Sequence, residues 1–333
     1  MKKKLLLLST GGTIASVASD TGLTPGESGN DLVKLLGELP FDLDVRDILK
    51  LDSSNIQPEE WQFMADQVYE NRLNYDGIVI THGTDTMAYT ASMLSFMLQN
   101  IEIPVVITGN QVPINVVLSD AQSNLRLAFA AAMAGKPGIF VAFDRKIMRG
   151  YRSVKVRTTD FDAFESVNVP PLATVTSDGL VFRKDYQTYR DIAFDCQLKK
   201  ALDPHVALIK LFPGFDPDLL RAMVEHGCRG IVIEAYGLGG MNFIRRNLVA
   251  VIGELTSAGI PVIASSQCLY ERSDLTKYEV GREALLKGAI SARDMTSESA
   301  VTKLMWALGQ GMDIKAVQAC FNQDLVGEVT IED

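Results

Sequence analysis

Short, mostly apolar runs recur along the chain at residues 5–8, 77–81, 104–108, 138–143, 206–211, 230–234 and 261–264. A strand with one wet face alternates apolar and polar residues, because successive side chains point to opposite sides. These runs do not alternate, so each reads as a strand covered on both faces. Between them, residues 59–71, 85–98, 120–134, 216–226 and 247–258 carry apolar side chains at three-to-four spacing, the period of a helix with one buried face. Strand and helix in alternation predict an α/β chain of mainly parallel sheets flanked by helices, since parallel neighbours need a long crossover.

At 333 residues the chain is long enough for about two domains. The rhythm breaks after about Tyr151, where Asp, Thr, Tyr and Arg mix with Pro170-Pro171, and it resumes with the run at 206. The expected organisation is a larger N-terminal domain over 1–185, a linker over 186–205 and a smaller C-terminal domain over 206–333. Apolar residues at 47% and charged residues at 22% are ordinary for a folded chain. Trp61 and Trp306, on helical patterns, read as core or interface anchors.

The formal net charge of −9 argues against nucleic acid or an anionic membrane as the main partner. Cys196, Cys228, Cys268 and Cys320 lie far apart without a CxxC and read as reduced thiols. His82, His205 and His226 are equally scattered, and no group has metal-ligand spacing. Lys2-Lys3-Lys4 before Leu5–Leu8 imitates a signal peptide, but the apolar stretch ends at Ser9, well short of the roughly 7–15 residues needed. No run reaches the roughly 20 apolar residues of a membrane span. A cytoplasmic protein is expected.

In open parallel sheets, ligands bind beyond the carboxyl ends of the strands. Small hydroxyl and acidic residues gather there: Ser9-Thr10-Gly11-Gly12-Thr13, Asp52-Ser53-Ser54-Asn55 and Thr81-His82-Gly83-Thr84-Asp85-Thr86. Taken singly, Asp85, Asp52 and Ser53-Ser54 read as helix N-caps, and a Gly-Gly-Thr turn as a tight connection. Their recurrence at three successive strand ends exceeds what capping requires and points to a polar small-ligand site.

Gly11-Gly12-Thr13-Ile14-Ala15 and His82-Gly83-Thr84-Asp85-Thr86 closely resemble the paired signatures of the bacterial L-asparaginase family, and the chain as a whole resembles its cytoplasmic type I branch. The likeness continues through Ile107-Thr108-Gly109, Phe161-Asp162-Ala163-Phe164, Tyr236-Gly237, Gln267-Cys268 and Lys303-Leu304. It implies a larger flavodoxin-like N-terminal domain, a smaller C-terminal α/β domain, and hydrolysis of L-asparagine to L-aspartate and ammonia. Thr13 would be the nucleophile that forms an acyl-enzyme. Thr84, Asp85 and Lys155 match the family's second threonine, substrate-binding aspartate and lysine; Asp52, Ser53 and Ser54 match its substrate-binding segment. The resemblance implies no cofactor and no metal, and a homodimer or homotetramer, because family sites are completed across a dimer contact.

The residue types suit that chemistry. A threonine hydroxyl is a weak nucleophile until a neighbour takes its proton, and a lysine shifted toward neutrality by burial can do so through Thr84. Asp85 suits the substrate ammonium, while Ser53, Ser54 and backbone N–H groups suit its carboxylate. N–H groups of Gly11-Gly12 and Gly83-Thr84 suit the tetrahedral oxyanion.

One departure stands out: Leu23 occupies the place where the family often has a loop tyrosine. Gly22, Gly26 and Gly29 predict a hinged lid there. Tyr278 is a candidate accessory hydroxyl, against the plainer reading of a core or surface tyrosine. Cys268 reads as a small core residue, and Glu234 stands where a regulatory site for asparagine would want a cation. Tyr236-Gly237-Leu238-Gly239-Gly240-Met241-Asn242 does not complete a dinucleotide fingerprint. The alternatives are an amidohydrolase acting mainly on glutamine, the asparaginase-like subunit of a tRNA amidotransferase, or a noncatalytic small-ligand-binding α/β protein. Thr13 in the first strand leaves little room for the extra N-terminal domain of the second of these.

Overall fold

The computed structural model describes residues 2–11, 16–19, 22–25, 29–34, 36–186 and 195–331. The chain divides into two compact units, Met1–Lys200 and Ala201–Asp333.

Among the described residues, the first unit is built on strands β1 (Lys4–Gly11), β2 (Asp42–Leu51), β3 (Gly77–Thr81), β4 (Pro104–Thr108), β5 (Gly138–Phe143), β6 (Lys146–Arg149), β7 (Ala173–Thr176) and β8 (Gly179–Phe182). They form one sheet in the order β8-β7-β6-β5-β4-β3-β1-β2. Strands β1 to β5 pair in parallel, with Ser9 opposite Thr81, Thr81 opposite Thr108 and Thr108 opposite Ala142. Their carboxyl ends therefore lie side by side.

Alternate residues of the apolar strands serve opposite faces. Leu5, Leu7, Val79, Val106, Phe140 and Ala142 share one core with Leu125, Ala128, Phe129 and Ala132 of helix α3 (Ala121–Met133). Leu6, Leu8, Ile78, Ile80, Val105 and Ile107 are equally buried on the other side of the pleat. Besides the six-residue helix Gly29–Lys34, this unit has α1 (Pro58–Asn71) and α2 (Met87–Met97), the latter buried almost all round. Leu5–Leu8 thus lies in an interior strand of the sheet, between β2 and β3.

The antiparallel end of the sheet is a feature the sequence reading passed over. Asp144 and Arg145 both adopt positive φ, 39° and 62°, and join Phe143 to Lys146 in a two-residue hairpin. Left-handed backbone at both central residues matches the twist of the flanking strands, and reverses the chain where a helix would otherwise cross over. Part of the span read as linker is also strand: Gln197–Leu198 pairs with Leu98–Gln99 inside the first unit.

The second unit carries a parallel sheet in the order β9 (Val206–Lys210), β10 (Gly230–Ala235), β11 (Val262–Ser266) and β12 (Ile290–Ser291). Its helices are α4 (Asp218–Glu225), α5 (Leu248–Ser257), α6 (Glu279–Leu286), α7 (Ser297–Gly309) and α8 (Ile314–Phe321). Ile231, Ile233 and Ala235 pack with Leu248, Val251, Ile252 and Leu255 of α5; on the other face Leu304 and Leu308 of α7 close over Gly230. The run at 206–211 departs from expectation. Among the described residues it is an edge strand, paired only with β10, and its side chains are half-buried or exposed. Cys268 corrects a second expectation, because it is exposed just beyond β11, its N–H donating to Ser266 Oγ at 3.0 Å. Trp61 and Trp306 are buried, as anchors should be.

Two buried polar devices fix these units. In the second, the Lys303 ammonium and Glu328 carboxylate form an ion pair with both side chains fully excluded from solvent. Lys303 Nζ also donates to the Gln323 carbonyl at 2.9 Å, and Glu328 accepts from the N–H groups of Leu325 and Val326 at 3.1 and 2.9 Å. The segment 323–328 is thereby pinned to α7.

In the first unit, His82 is completely buried beyond the end of β3. Its Nδ1 lies 2.6 Å from the Gly83 carbonyl and its Nε2 3.0 Å from Thr90 Oγ1, which in turn accepts from Trp61 Nε1 at 2.9 Å. A carbonyl only accepts, so the proton sits on Nδ1 and the relay runs from Trp61 through Thr90 to Nε2. Desolvation drops the imidazole to about 4 from its ordinary 6.5.

The unfolded chain binds that proton first as pH falls, so this contribution is complete above about 6.5 and disappears toward about 4. It amounts to about 3 kcal/mol. Ring nitrogen NMR is expected to find His82 in the neutral Nδ1–H form until the pH approaches about 4; a midpoint near its ordinary value would contradict the relay. Lys303→Met should destabilise the fold by about 3–5 kcal/mol by stranding Glu328, with Lys303→Met/Glu328→Leu recovering much of the loss. Chemical denaturation of both variants checks this, and equal stability would remove the pair's proposed role.

Candidate active site

The polar turns meet where β1, β2 and β3 end. Gly11 closes β1 at φ +101°, and a Cβ there would lie 2.7 Å from the backbone N and O of Leu51 at the end of β2. Only glycine permits that crossing. Asp52 then caps the short 3₁₀ turn Ser53–Asn55, accepting from Ser54 N–H at 2.8 Å and from the Ser54 hydroxyl at 2.5 Å. Those two hydrogen bonds, hydroxyl first, hold its carboxyl below the usual carboxylate range.

Ser53 is buried and joins this turn to the next. Its Oγ accepts from the Asp85 N–H at 3.3 Å, and its carbonyl accepts from the Thr86 hydroxyl at 2.7 Å. Gly83 allows the approach, since a Cβ there would stand 2.5 Å from Ser53 Oγ. The turn from Thr84 to Thr86 precedes α2, yet the cap residue is Thr86 and its side chain makes no capping bond. Asp85 is therefore not spent as a cap.

Instead Asp85 turns to a lysine. Lys155 ends the strand Ser153–Lys155, which returns as Phe164–Ser166. Its Nζ lies 2.8 Å from Thr84 Oγ1 and 2.6 Å from Asp85 Oδ1. The lysine side chain is 18% exposed and the aspartate 63%, so the cation is sheltered while the carboxylate faces solvent. Thr84 is itself buried. A hydroxyl, an amine and a carboxylate so arranged can pass a proton and receive an ammonium group.

The structure thus brings together Thr84, Asp85 and Lys155, with Asp52, Ser53 and Ser54 attached through Ser53. Thr13 lies outside the described residues, as does Gly26. Leu23 falls in the strand Gly22–Pro25, which pairs with Ser16–Ser19, and Gly29 opens a helix. Tyr278 belongs to the second unit, is 64% exposed and precedes α6. Among the described residues no cluster of His, Cys, Asp or Glu is arranged to hold a metal ion, and no helix is long and apolar enough to cross a membrane.

Sequence reasoning missed Gln111. Its Oε1 is 3.4 Å from Thr84 Oγ1, and its Nε2 donates to the carbonyls of Thr158 and Asp160 at 3.2 and 3.0 Å. Its N–H is held by the Asp120 carboxylate at 3.0 Å, as is that of Val112 at 3.1 Å. Asn124 ties Asp120 to the Gly109 carbonyl, both at 3.0 Å. The signal that finds these residues is position: Gln111 follows the carboxyl end of β4, the next strand in the row.

Family models match the chain in both units: the asparaginase N-terminal domain over residues 4–188 and the glutaminase/asparaginase C-terminal domain over 205–321. An L-asparaginase of the archaeon Thermococcus kodakarensis is 47% identical over 98% of this chain and 99% of its own length. One component of the glutamyl-tRNA(Gln) amidotransferase of Methanobrevibacter smithii is 35% identical over 98% of this chain and 77% of that protein. The solved structure of the thermostable L-asparaginase from Thermococcus kodakarensis superposes with a TM-score of 0.93 at 45% identity, covering 99% of this chain and 100% of that one. An archaeal relative at 47% means that the likeness is not confined to bacteria. With both domain models matched in order and a relative aligned end to end, the chain belongs to the asparaginase family.

Proposed function

We propose that this chain hydrolyses L-asparagine to L-aspartate and ammonia, with Thr13 as nucleophile and Thr84, Asp85 and Lys155 as its partners. The observation that carries the reading is the contact of Lys155 Nζ with both Thr84 Oγ1 and Asp85 Oδ1, at 2.8 and 2.6 Å, beyond the end of β3. A family whose chemistry is amide hydrolysis needs a proton route and an ammonium receptor, and this cluster offers both.

In the proposed reaction the Thr13 hydroxyl adds to the side-chain amide carbon, and its proton is taken into the site. The tetrahedral intermediate collapses as the amide nitrogen leaves, protonated, as ammonia. Water then attacks the Thr13 ester, the C–O bond to the threonine breaks, and aspartate departs with the hydroxyl restored. Thr84 and Lys155 carry protons between these steps along their 2.8 Å contact. The exposed Asp85 carboxylate receives the substrate ammonium, while Ser54 and the turn's N–H groups suit the α-carboxylate. The buried Ser53 acts mainly by joining the two turns.

The reading extends to a cytoplasmic type I enzyme working as a homodimer or homotetramer without a cofactor. The assembly is supported by Val116, Val117 and Leu118, exposed at 48%, 92% and 80% on the loop that follows Gln111; such an apolar tip favours cover by another subunit. The proposed domain boundaries are 1–185 and 206–333, joined through 186–205.

Ammonia release should be faster with L-asparagine than with L-glutamine; equal rates would overturn the preference. Thr13→Ala should fold and lose turnover. Thr84→Val should lower kcat by about 10²–10⁴-fold while leaving KM nearly unchanged. Asp85→Ala should raise KM, and an unaltered KM would contradict its ammonium-binding role.

A further inference from the structure

We infer that Gln111 is a positioning residue for the reaction proposed above, a brace that holds Thr84 and the Lys155-bearing loop at proton-transfer distance. The inference rests on that functional reading for its kinetic consequence, and on geometry alone for the brace.

Thr84 and Lys155 reach the site by separate routes. Thr84 stands on the turn beyond β3, which Ser53 and the His82 relay secure from below. Lys155 ends the short strand Ser153–Lys155, and the loop that follows must reverse before Phe164. A three-residue strand gives little rigidity of its own. The loop is closed at its base by Val156 N–H donating to the Ala163 carbonyl at 2.8 Å. Beyond that base, the Gln111 side-chain amide holds the carbonyls of Thr158 and Asp160.

The amide can face only one way. Two carbonyl acceptors at 3.2 and 3.0 Å require the NH₂ end, which leaves Oε1 toward Thr84 at 3.4 Å. Oε1 accepts and Lys155 Nζ donates, so the Thr84 hydroxyl proton points at Gln111 and its lone pair at the lysine. One side chain thus sets the distance between the two proton carriers and the direction of the hydroxyl between them. The bond to Oε1 is long and weak enough to exchange when the hydroxyl must turn.

Gln111 is itself held against sliding. The Asp120 carboxylate accepts its N–H with both oxygens and that of Val112 with one, and Asn124 anchors Asp120 from α3. The brace therefore transmits the position of β4 and α3 to the proton route. Methionine matches glutamine in length and removes every polar contact of the side chain; glutamate keeps an acceptor for Thr84 but loses the donors and adds a charge.

The test compares the full chain with Gln111→Met and Gln111→Glu, reading ammonia from L-asparagine against pH, and amide hydrogen exchange over residues 156–163. Gln111→Met is expected to lower kcat by about 10- to 100-fold with KM changed by less than about twofold, and to speed exchange in the loop. Gln111→Glu is expected to move the pH–rate profile to higher pH, because the added carboxylate favours the protonated amine beside it. Unchanged kcat and profile, or an effect on KM alone, would overturn the positioning role. Unchanged exchange would overturn the brace. A wild-type chain that releases no ammonia from asparagine would instead sink the functional reading, leaving the exchange result to decide the brace.

Discussion

The candidate site hangs on a buried histidine that titrates out of reach of ordinary pH. A turn that must hold a buried threonine beside an exposed aspartate while following directly from an interior strand has few ways to satisfy its backbone. His82 meets this need by donating to the Gly83 carbonyl while Thr90 and Trp61 donate in sequence behind it. The imidazole can do this only while neutral, and desolvation keeps it so. Because α1 supplies Trp61 and α2 supplies Thr90, two helices and the end of β3 are locked into one hydrogen-bonded unit. Substitution of any member would leave a buried polar atom unpaired, which costs about 1–3 kcal/mol.

The same economy governs the approach of the turns to one another. Gly11 and Gly83 are placed where a methyl group would strike the backbone of Leu51 or the side chain of Ser53. Their absence of a Cβ lets three strand ends converge closely enough for Ser53 to bond to Asp85 and Thr86. The charged members are then held by geometry more than by Coulomb energy. Asp85 is more than half exposed, so its pair with Lys155 adds little stability. That leaves it free to exchange partners, which its proposed role as ammonium receptor requires.

Interior strands were readable because burial on both faces erases polar alternation, as residues 5–8, 77–81 and 104–108 illustrate. The same rule misled at 206–211, where apolar residues form an edge strand with one uncovered side. The antiparallel strands beyond β5 were invisible because they depend on left-handed backbone at Asp144 and Arg145, neither of them the glycine that advertises such a turn. Cys268 was misjudged because residue type says that cysteine prefers burial, whereas a loop position beyond β11 decides otherwise.

Read alone, the residues determined the α/β class and the polar strand ends, since hydropathy and turn chemistry are local properties written within a few positions; the joint role expected of Thr84 and Asp85 came from family resemblance. Lys155 entered only through family resemblance, and Gln111 not at all. Each stands tens of residues from Thr84, and what brings them together is parallel register and a return strand, which no local pattern encodes. Tertiary structure alone decided that Asp85 faces a lysine and not its own helix, that Ser53 is a buried strut, and that one glutamine ties Thr84 to the loop that follows Lys155. These are matters of which backbone groups remain unpaired once the sheet has closed, and that accounting is complete only in three dimensions.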